Sequence, residues 1–118
     1  MNRLEQAAQT TEKLGLPRKD LATEFPEFQQ VKERFLYGEV WAQEALSPRL
    51  RLLISIAALA TAEGDDLPAM LRAALGQDVT PAELQEVFHQ AAPYIGFPKA
   101  EKGLAVLKAV LVQAGIAL

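Results

Sequence analysis

The 118-residue chain has no cysteine, which excludes disulfides, thiolate metal sites, cysteine nucleophiles and cysteine-based redox cycles. Its formal net charge is −3 at pH 7 and it has no basic cluster, so nucleic acid is not an expected partner. The length fits a single domain, residues 1–118, that needs no disulfide or metal to fold.

The composition favours an all-α fold. Half of the residues are hydrophobic and 23% are charged, and Ala and Leu supply much of the apolar content, which suits closely packed helices. A domain of this size does not readily bury this much apolar surface by itself. We therefore expect a homo-oligomer in which apolar helix faces are buried between subunits. The N-terminus has alternating charge and no apolar segment of the signal-peptide kind, so a cytoplasmic location is expected, with no membrane partner.

The first half of the chain shows two helical patterns. Apolar residues from Leu4 to Leu14 predict a first helix that stops near Gly15 and Pro17, with residues 1–24 forming a peripheral helix or arm. Residues 20–23 allow a short helical turn. A second helix follows through Phe28, Val31 and Phe35, and its spacing favours a core helix. A link with Gly38 and the only tryptophan, Trp41, comes next.

The middle of the chain predicts two further helices. Ser47 and Pro48 mark a helix start, because a hydroxyl cap before a first-turn proline is a common pattern there. Residues 52–60 are apolar except Ser55, which indicates a central helix, and we expect this helix and the last one to contribute to core and subunit contacts. The run is too short to span a membrane. Pro68 opens the next helix, which Gly76 ends.

The clearest helix start lies at residues 79–83. Thr80 is a cap, Pro81 takes the first helical position, and Glu83 can reach back to the cap. The apolar stripe of this helix consists of Leu84, Val87, Phe88 and Ala91. The helix ends near residues 94–98, and the last helix runs from residue 99 to about 113, where Gly103 either weakens it or allows another helix to approach closely.

Glu86 and His89 lie three residues apart on this helix and form a candidate acid/base pair. Histidine is the side-chain type that changes charge near neutral pH without help. The alternative is that His89 is simply an exposed or interface residue. Gln90 is expected to line the same surface.

Three further groups of residues each allow a functional and a structural interpretation. The acidic cluster Glu63, Asp65 and Asp66 can bind a cation, or it is a solvated loop in which Asp66 caps a helix. No first-shell metal spacing accompanies it, so no metal or other cofactor is predicted.

Arg49 and Arg51 can hold a small carboxylate ligand, or they can pair across an interface. Trp41 and Tyr94 can wall a pocket, or they complete a core.

Two runs of residues together resemble the carboxymuconolactone decarboxylase family, whose superfamily includes the alkylhydroperoxidase D-like proteins. These are residues 38–59, beginning G-E-V-W-A-Q-E-A-L, and residues 70–100, containing A-E-L-Q-E-V-F-H-Q-A-A-P-Y-I-G-F-P. The resemblance implies an all-α fold of about six helices that assembles into rings, as homotrimers or homohexamers.

The same resemblance implies roles for several site residues and shows where this sequence departs from the family pattern. It implies that Arg51 matches a common family arginine and that Gln90 and Tyr94 lie beside the pocket. Met70 stands where the family usually has a histidine. His89 is one residue from a position that is often Gln or His, which turns it by about 100°. The cysteines of the peroxidase-like branch correspond to positions near 63 and 66, which are not cysteine here.

Two functional hypotheses follow. In the first, the chain is a decarboxylase-like enzyme acting on a small carboxylated or lactone substrate: Glu86 or His89 moves a proton and Arg51 holds the carboxylate. The substrate-binding residues are then Trp41, Met70, Gln90 and Tyr94. In the second, the protein is catalytically degenerate and acts as an oligomeric binding or scaffold protein of the same fold.

Overall fold

The computed structural model describes residues 2–16, 25–62 and 66–117, and the regular structure within them is helical. The α-helices are α1 (Arg3–Leu14), α2 (Pro26–Phe35), α3 (Pro48–Leu59), α4 (Asp66–Gly76), α5 (Pro81–Ile95) and α6 (Phe97–Gln113). A π-helical segment, Leu36–Val40, follows α2 directly. The predicted all-α fold of about six helices is therefore confirmed.

Two sequence features lie outside the described residues: the short turn at residues 20–23, and positions 63 and 65 of the acidic cluster. The chain contains two compact units, Met1–Pro48 and Arg49–Leu118. Each unit is described in turn, and the single domain of residues 1–118 stays a prediction.

In the first unit, α1 begins and ends where the sequence indicates. The Asn2 side chain caps the helix by accepting a hydrogen bond from the backbone N–H of Glu5, with a donor–acceptor distance of 2.8 Å. Gly15 ends it with φ 65°, a left-handed conformation that glycine adopts without strain. Gly38 of the π-helical segment is buried against the carbonyl group of Arg3, and a Cβ atom there would overlap that oxygen.

The prediction that α2 is a core helix is wrong. Phe28, Val31 and Phe35 are 62%, 63% and 59% exposed. The buried side chain of α2 is Gln29. The packed side of this helix therefore carries Gln29, and the small Gly38 is the buried residue of the π-helical segment that follows it. The aromatic stripe consequently faces away from the packed side.

In the second unit, the helix start at Thr80 is confirmed as a complete capping box. The hydroxyl of Thr80 accepts from the backbone N–H of Glu83 at 3.1 Å, and the carboxylate of Glu83 accepts from the backbone N–H of Thr80 at 3.0 Å. The helix ends at Gly96, where φ is 98°. These local bonds fix where α5 begins and ends.

The core of the second unit combines α3, α4, α5 and α6. Leu67, Met70, Leu71, Ala73 and Ala74 of α4 are buried. At the centre of α5 the ring of Phe88 is fully buried and lies against Gly103 of α6. A Cβ atom on Gly103 would overlap that ring. Of the two readings of Gly103, close approach by another helix is therefore confirmed.

Helix α3 has a buried side and an exposed side. Leu52 and Ile56 are fully buried, whereas Leu50 and Ile54 are 45% and 56% exposed. The core contribution predicted for residues 52–60 is thus present, and their subunit contacts stay a prediction. Across the described residues, no helix combines the length and the hydropathy needed to cross a membrane.

We expect Gly103→Ala to lower the free energy of unfolding by about 1–2 kcal/mol, because overlap with the Phe88 ring outweighs the better helix propensity of alanine. Urea denaturation followed by circular dichroism measures this. Gly76→Ala is the matched control, since a Cβ atom at Gly76 meets nothing within 4 Å. In a Phe88→Leu background the cost of Gly103→Ala should shrink, and an undiminished cost would contradict the contact.

Candidate functional site

An apolar groove of about 570 Å³ lies between α3 and α5 in the second unit. Leu53 and Ile54 of α3 form one side of it, and Val87 and Ala91 of α5 form the other. The groove exists because α3 turns only Leu52 and Ile56 fully into the core and leaves its neighbouring apolar side open. It is a place where the ring of a small, largely apolar ligand can lie.

Three polar side chains of α5 line this groove: Glu83, Glu86 and Gln90. Their spacing of three and four residues places them one above the other on one side of the helix. Two of them, Glu86 and Gln90, are residues predicted for the site from the sequence. The groove therefore combines an apolar surface with two carboxylates and an amide.

Glu86 and His89 are in contact, as the sequence predicted. Nδ1 of His89 lies 3.2 Å from Oε1 of Glu86, and the two side chains are 57% and 75% exposed. When Nδ1 carries a proton, it donates a hydrogen bond to the carboxylate. Nε2 is then the ring nitrogen that can exchange a proton with another group. The pair can therefore pass a proton between solvent and the groove.

His89 itself lines a different hollow. This space of about 280 Å³ lies between α5 and α6 and also includes Phe97, Glu101 and Leu104. Glu86 consequently faces the groove, while His89 lies on the side of α5 toward α6. Within the pair, Glu86 is the member with direct access to a molecule in the groove.

Arg51 and Met70 lie elsewhere in the second unit. Arg51 is half-buried on α3, and its Nε atom is inaccessible to solvent. Its backbone carbonyl accepts a hydrogen bond from the hydroxyl of Ser55 at 2.7 Å. Met70 is 8% exposed on the packed side of α4. Neither side chain lines the groove, so their substrate contacts stay a prediction.

The residues that line the groove include neither Trp41 nor Tyr94. Trp41 lines a hollow of about 420 Å³ inside the first unit, together with Lys13 of α1. Its ring centroid is 6.1 Å from that of Tyr37. Tyr94 is 82% exposed near the end of α5. Two of the seven predicted site residues, Glu86 and Gln90, thus line the groove, and a third, His89, contacts Glu86.

An ion pair at one end of the groove was not predicted. Arg49 of α3 donates a hydrogen bond to the carboxylate of Glu83. This bond, followed by the hydrogen bond from the Thr80 backbone, lowers the pKa of Glu83 to about 2. The sequence allowed Arg49 to pair with an acidic residue, but its partner is 34 residues away and no local pattern connects the two.

The described residues contain no group of three or more histidine or carboxylate side chains that could hold a metal ion. Positions 63 and 65 fall outside those residues, while Asp66 begins α4.

Comparison with known proteins gives two matches. The carboxymuconolactone decarboxylase family matches residues 26–109, a range that includes all seven predicted site residues. The chain is also 35% identical over 92 residues to the 4-carboxymuconolactone decarboxylase of Acinetobacter baylyi. That alignment covers 77% of this chain and 69% of the relative. The resemblance found in the sequence is confirmed.

The lowered pKa of Glu83 predicts how stability depends on pH. The ionised carboxylate of Glu83 is stabilised by its hydrogen bonds in the folded state only. It therefore contributes to the free energy of unfolding above pH 4.5, and this contribution is lost as the pH falls toward 2. We expect Glu83→Gln to lower the free energy of unfolding at pH 7, with the difference from the unmodified protein shrinking between pH 4.5 and 2. Urea denaturation at several pH values measures this.

Arg49→Gln removes the largest cause of the lowered pKa of Glu83. Its loss of unfolding free energy at pH 7 should therefore also shrink as the pH falls, much as for Glu83→Gln. Adding Glu83→Gln to that variant should then change stability little. A difference between Glu83→Gln and the unmodified protein that stays constant from pH 7 to 2 would contradict the assignment.

Proposed function

The chain belongs to the carboxymuconolactone decarboxylase family, and we propose that it removes CO2 from a small carboxylated lactone by proton transfer. The observation that carries this proposal is the contact between Glu86 and His89 at the wall of an apolar groove. The name of the 35% identical relative specifies a lactone with a carboxyl group and a decarboxylation. With no cysteine in the sequence, the proposal involves no thiol redox step.

The reaction needs one proton for each CO2 released. The bond between the carboxylate carbon and the ring breaks, and its electron pair is taken up by the unsaturated lactone carbonyl as an enolate. A proton must then be added to carbon to give the product. A positioned acid that supplies this proton accelerates such a step by about 10²–10⁴.

Glu86 is the proposed proton donor, because it lines the groove and His89 does not. His89 passes the proton on Nδ1 to the Glu86 carboxylate across their 3.2 Å contact, and the protonated Glu86 then gives it to carbon. His89 is more than half exposed and recovers a proton from water. The net change is therefore loss of CO2 and uptake of one proton from solvent.

The groove residues supply binding. Leu53, Ile54 and Val87 offer an apolar surface to the ring, and the amide of Gln90 can donate a hydrogen bond to the lactone carbonyl. Arg51 remains the proposed carboxylate-binding residue on the strength of the family pattern. Arg51→Gln should accordingly raise KM more than it lowers kcat.

We expect Glu86→Gln to lower kcat for 4-carboxymuconolactone by about 10²–10⁴ with little change in KM. His89→Ala should also lower kcat, and added imidazole should restore part of it, because the exposed position leaves room for a free base. The measurements are release of CO2 and loss of the lactone from the same reaction.

Glu12→Gln is the matched control, since it removes an exposed carboxylate from α1. If Glu86→Gln and His89→Ala both keep full kcat, these roles are wrong. If the unmodified protein binds the lactone in the groove but releases no CO2, the non-catalytic binding hypothesis replaces the decarboxylase.

A further inference from the structure

The groove between α3 and α5 carries a pair of opposite charges at one end. Arg49, in the first turn of α3, donates a hydrogen bond to Glu83, in the first turn of α5. Glu83 is also one of the residues that line the groove. Both residues belong to the second unit. The groove thus has, at one end, a guanidinium that is bound to a carboxylate.

The spacing of residues along α3 places Arg49 on the side of the groove. Leu53 and Ala57, which line the groove, follow Arg49 by four and eight residues. Because residues four apart share a side of a helix, Arg49 lies one turn before this apolar wall. Arg51, the carboxylate-binding residue that the family pattern implies, is turned by about 200° from Arg49. Arg49 is therefore the arginine that a ligand in the groove can reach.

We propose that Arg49 binds the carboxylate of the ligand in the groove, and that this carboxylate and Glu83 exchange as its partner. The ligand is the small carboxylated lactone named above, so its chemical class rests on the proposed function. Arginine suits this task because its planar guanidinium has five N–H donors in a geometry that matches a carboxylate. The exchange replaces one ionic hydrogen bond of Arg49 by another of the same kind.

The two carboxylate oxygens of Glu83 have separate partners. Oε1 accepts hydrogen bonds from the backbone N–H and the hydroxyl of Thr80, at 3.0 and 3.2 Å. Oε2 accepts the bond from Arg49. Loss of the bond to Arg49 consequently leaves the capping box of α5 in place. Arg49 can therefore change its partner while the start of the helix stays formed.

Glu83 competes with the ligand as a full negative charge. The hydrogen bonds from Arg49 and from the Thr80 backbone lower the pKa of Glu83 to about 2, so this carboxylate is ionised at neutral pH. A ligand must therefore displace an ionised group from Arg49. An anion can do this, whereas a neutral ester is a weaker acceptor for the guanidinium. The pair consequently selects carboxylates over their esters.

The position of Arg49 also determines where the ring of the ligand lies. Glu83 and Glu86 are three residues apart, which is ~4.5 Å along the axis of α5. This distance is comparable with the length of a small carboxylated lactone. A carboxylate that takes the place of Oε2 of Glu83 thus brings the ring beside Glu86, the proposed proton donor. One guanidinium then supplies both binding and positioning.

Binding of an unreactive acid tests this role separately from turnover. The probe is a saturated five-membered lactone with one carboxymethyl group, and its methyl ester is the matched neutral probe. Arg49→Gln should weaken binding of the acid by about tenfold or more and leave binding of the ester within about twofold. Isothermal titration calorimetry measures both. Arg72→Gln, which removes an exposed charge from α4, is the control and should change neither.

Glu83→Gln should have the opposite effect. Glutamine keeps the oxygen that caps α5 but has an amide NH2 group in place of Oε2, so it no longer accepts a bond from Arg49. We expect this variant to bind the acid about threefold to tenfold more tightly. Glu86→Gln removes a groove carboxylate that contacts His89 instead, and its gain should be smaller. Adding Glu83→Gln to Arg49→Gln should give no gain.

The signs of these changes decide the outcome, once circular dichroism has confirmed that each variant folds. Unchanged binding of the acid by Arg49→Gln would overturn the inference, as would weaker binding by Glu83→Gln. Equal gains for Glu83→Gln and Glu86→Gln would also do so, because the total charge of the groove would then control affinity.

Failure of the proposed function has a different signature. If the predicted binding pattern is found but the lactone substrate releases no CO2, decarboxylation is wrong and the carboxylate site at Arg49 stands. If CO2 is released and Arg49→Gln binds the acid as the unmodified protein does, the role of Arg49 alone is wrong.

Discussion

The second unit depends on the contact between Phe88 of α5 and Gly103 of α6. Glycine lets the buried ring lie directly against the backbone of the neighbouring helix, and this fixes how α5 is rotated about its axis. Once Phe88 points inward, the geometry of a helix turns the next residue, His89, away by about 100°. Glu86 and Gln90 are then directed toward the groove with α3. A packing contact in the core thus positions the polar groups of the candidate site.

The acid/base pair is held by one short local contact, and both of its members remain open to water. An exposed pair of this kind contributes little to stability, on the order of 1 kcal/mol or less. The role that we propose for the pair is proton transfer, because His89 is open to solvent and Glu86 lines the groove. Arg49 and Glu83 contrast with it, because they join two helices and bring α3 to the start of α5. Of the two neighbouring carboxylates on α5, Glu83 thus connects two helices, whereas Glu86 is the one proposed for proton transfer.

The chain belongs to its family by sequence and has no cysteine, so a thiol redox cycle is not available to it. Decarboxylation of an activated lactone requires no electron transfer, so the loss of thiols is compatible with it. The burial of Met70 also shows that this position serves packing. Gln90, which the family pattern places beside the pocket, lines the groove together with Glu86.

The sequence by itself determined the α-helices and most of their ends, because caps, prolines and glycines act within a few residues. It indicated only a link where the π-helical segment lies. Asn2, Gly15, Thr80 and Gly96 all function as local signals. It also determined the contact of Glu86 with His89, since three residues on a helix are always neighbours. Only the tertiary structure decided which side of each helix is buried. The stripe of α2 is as regular as that of α5, yet it lies outside, and the partner of Arg49 is 34 residues away. Periodicity shows that a helix has an apolar side, but what covers that side depends on contacts distant in sequence.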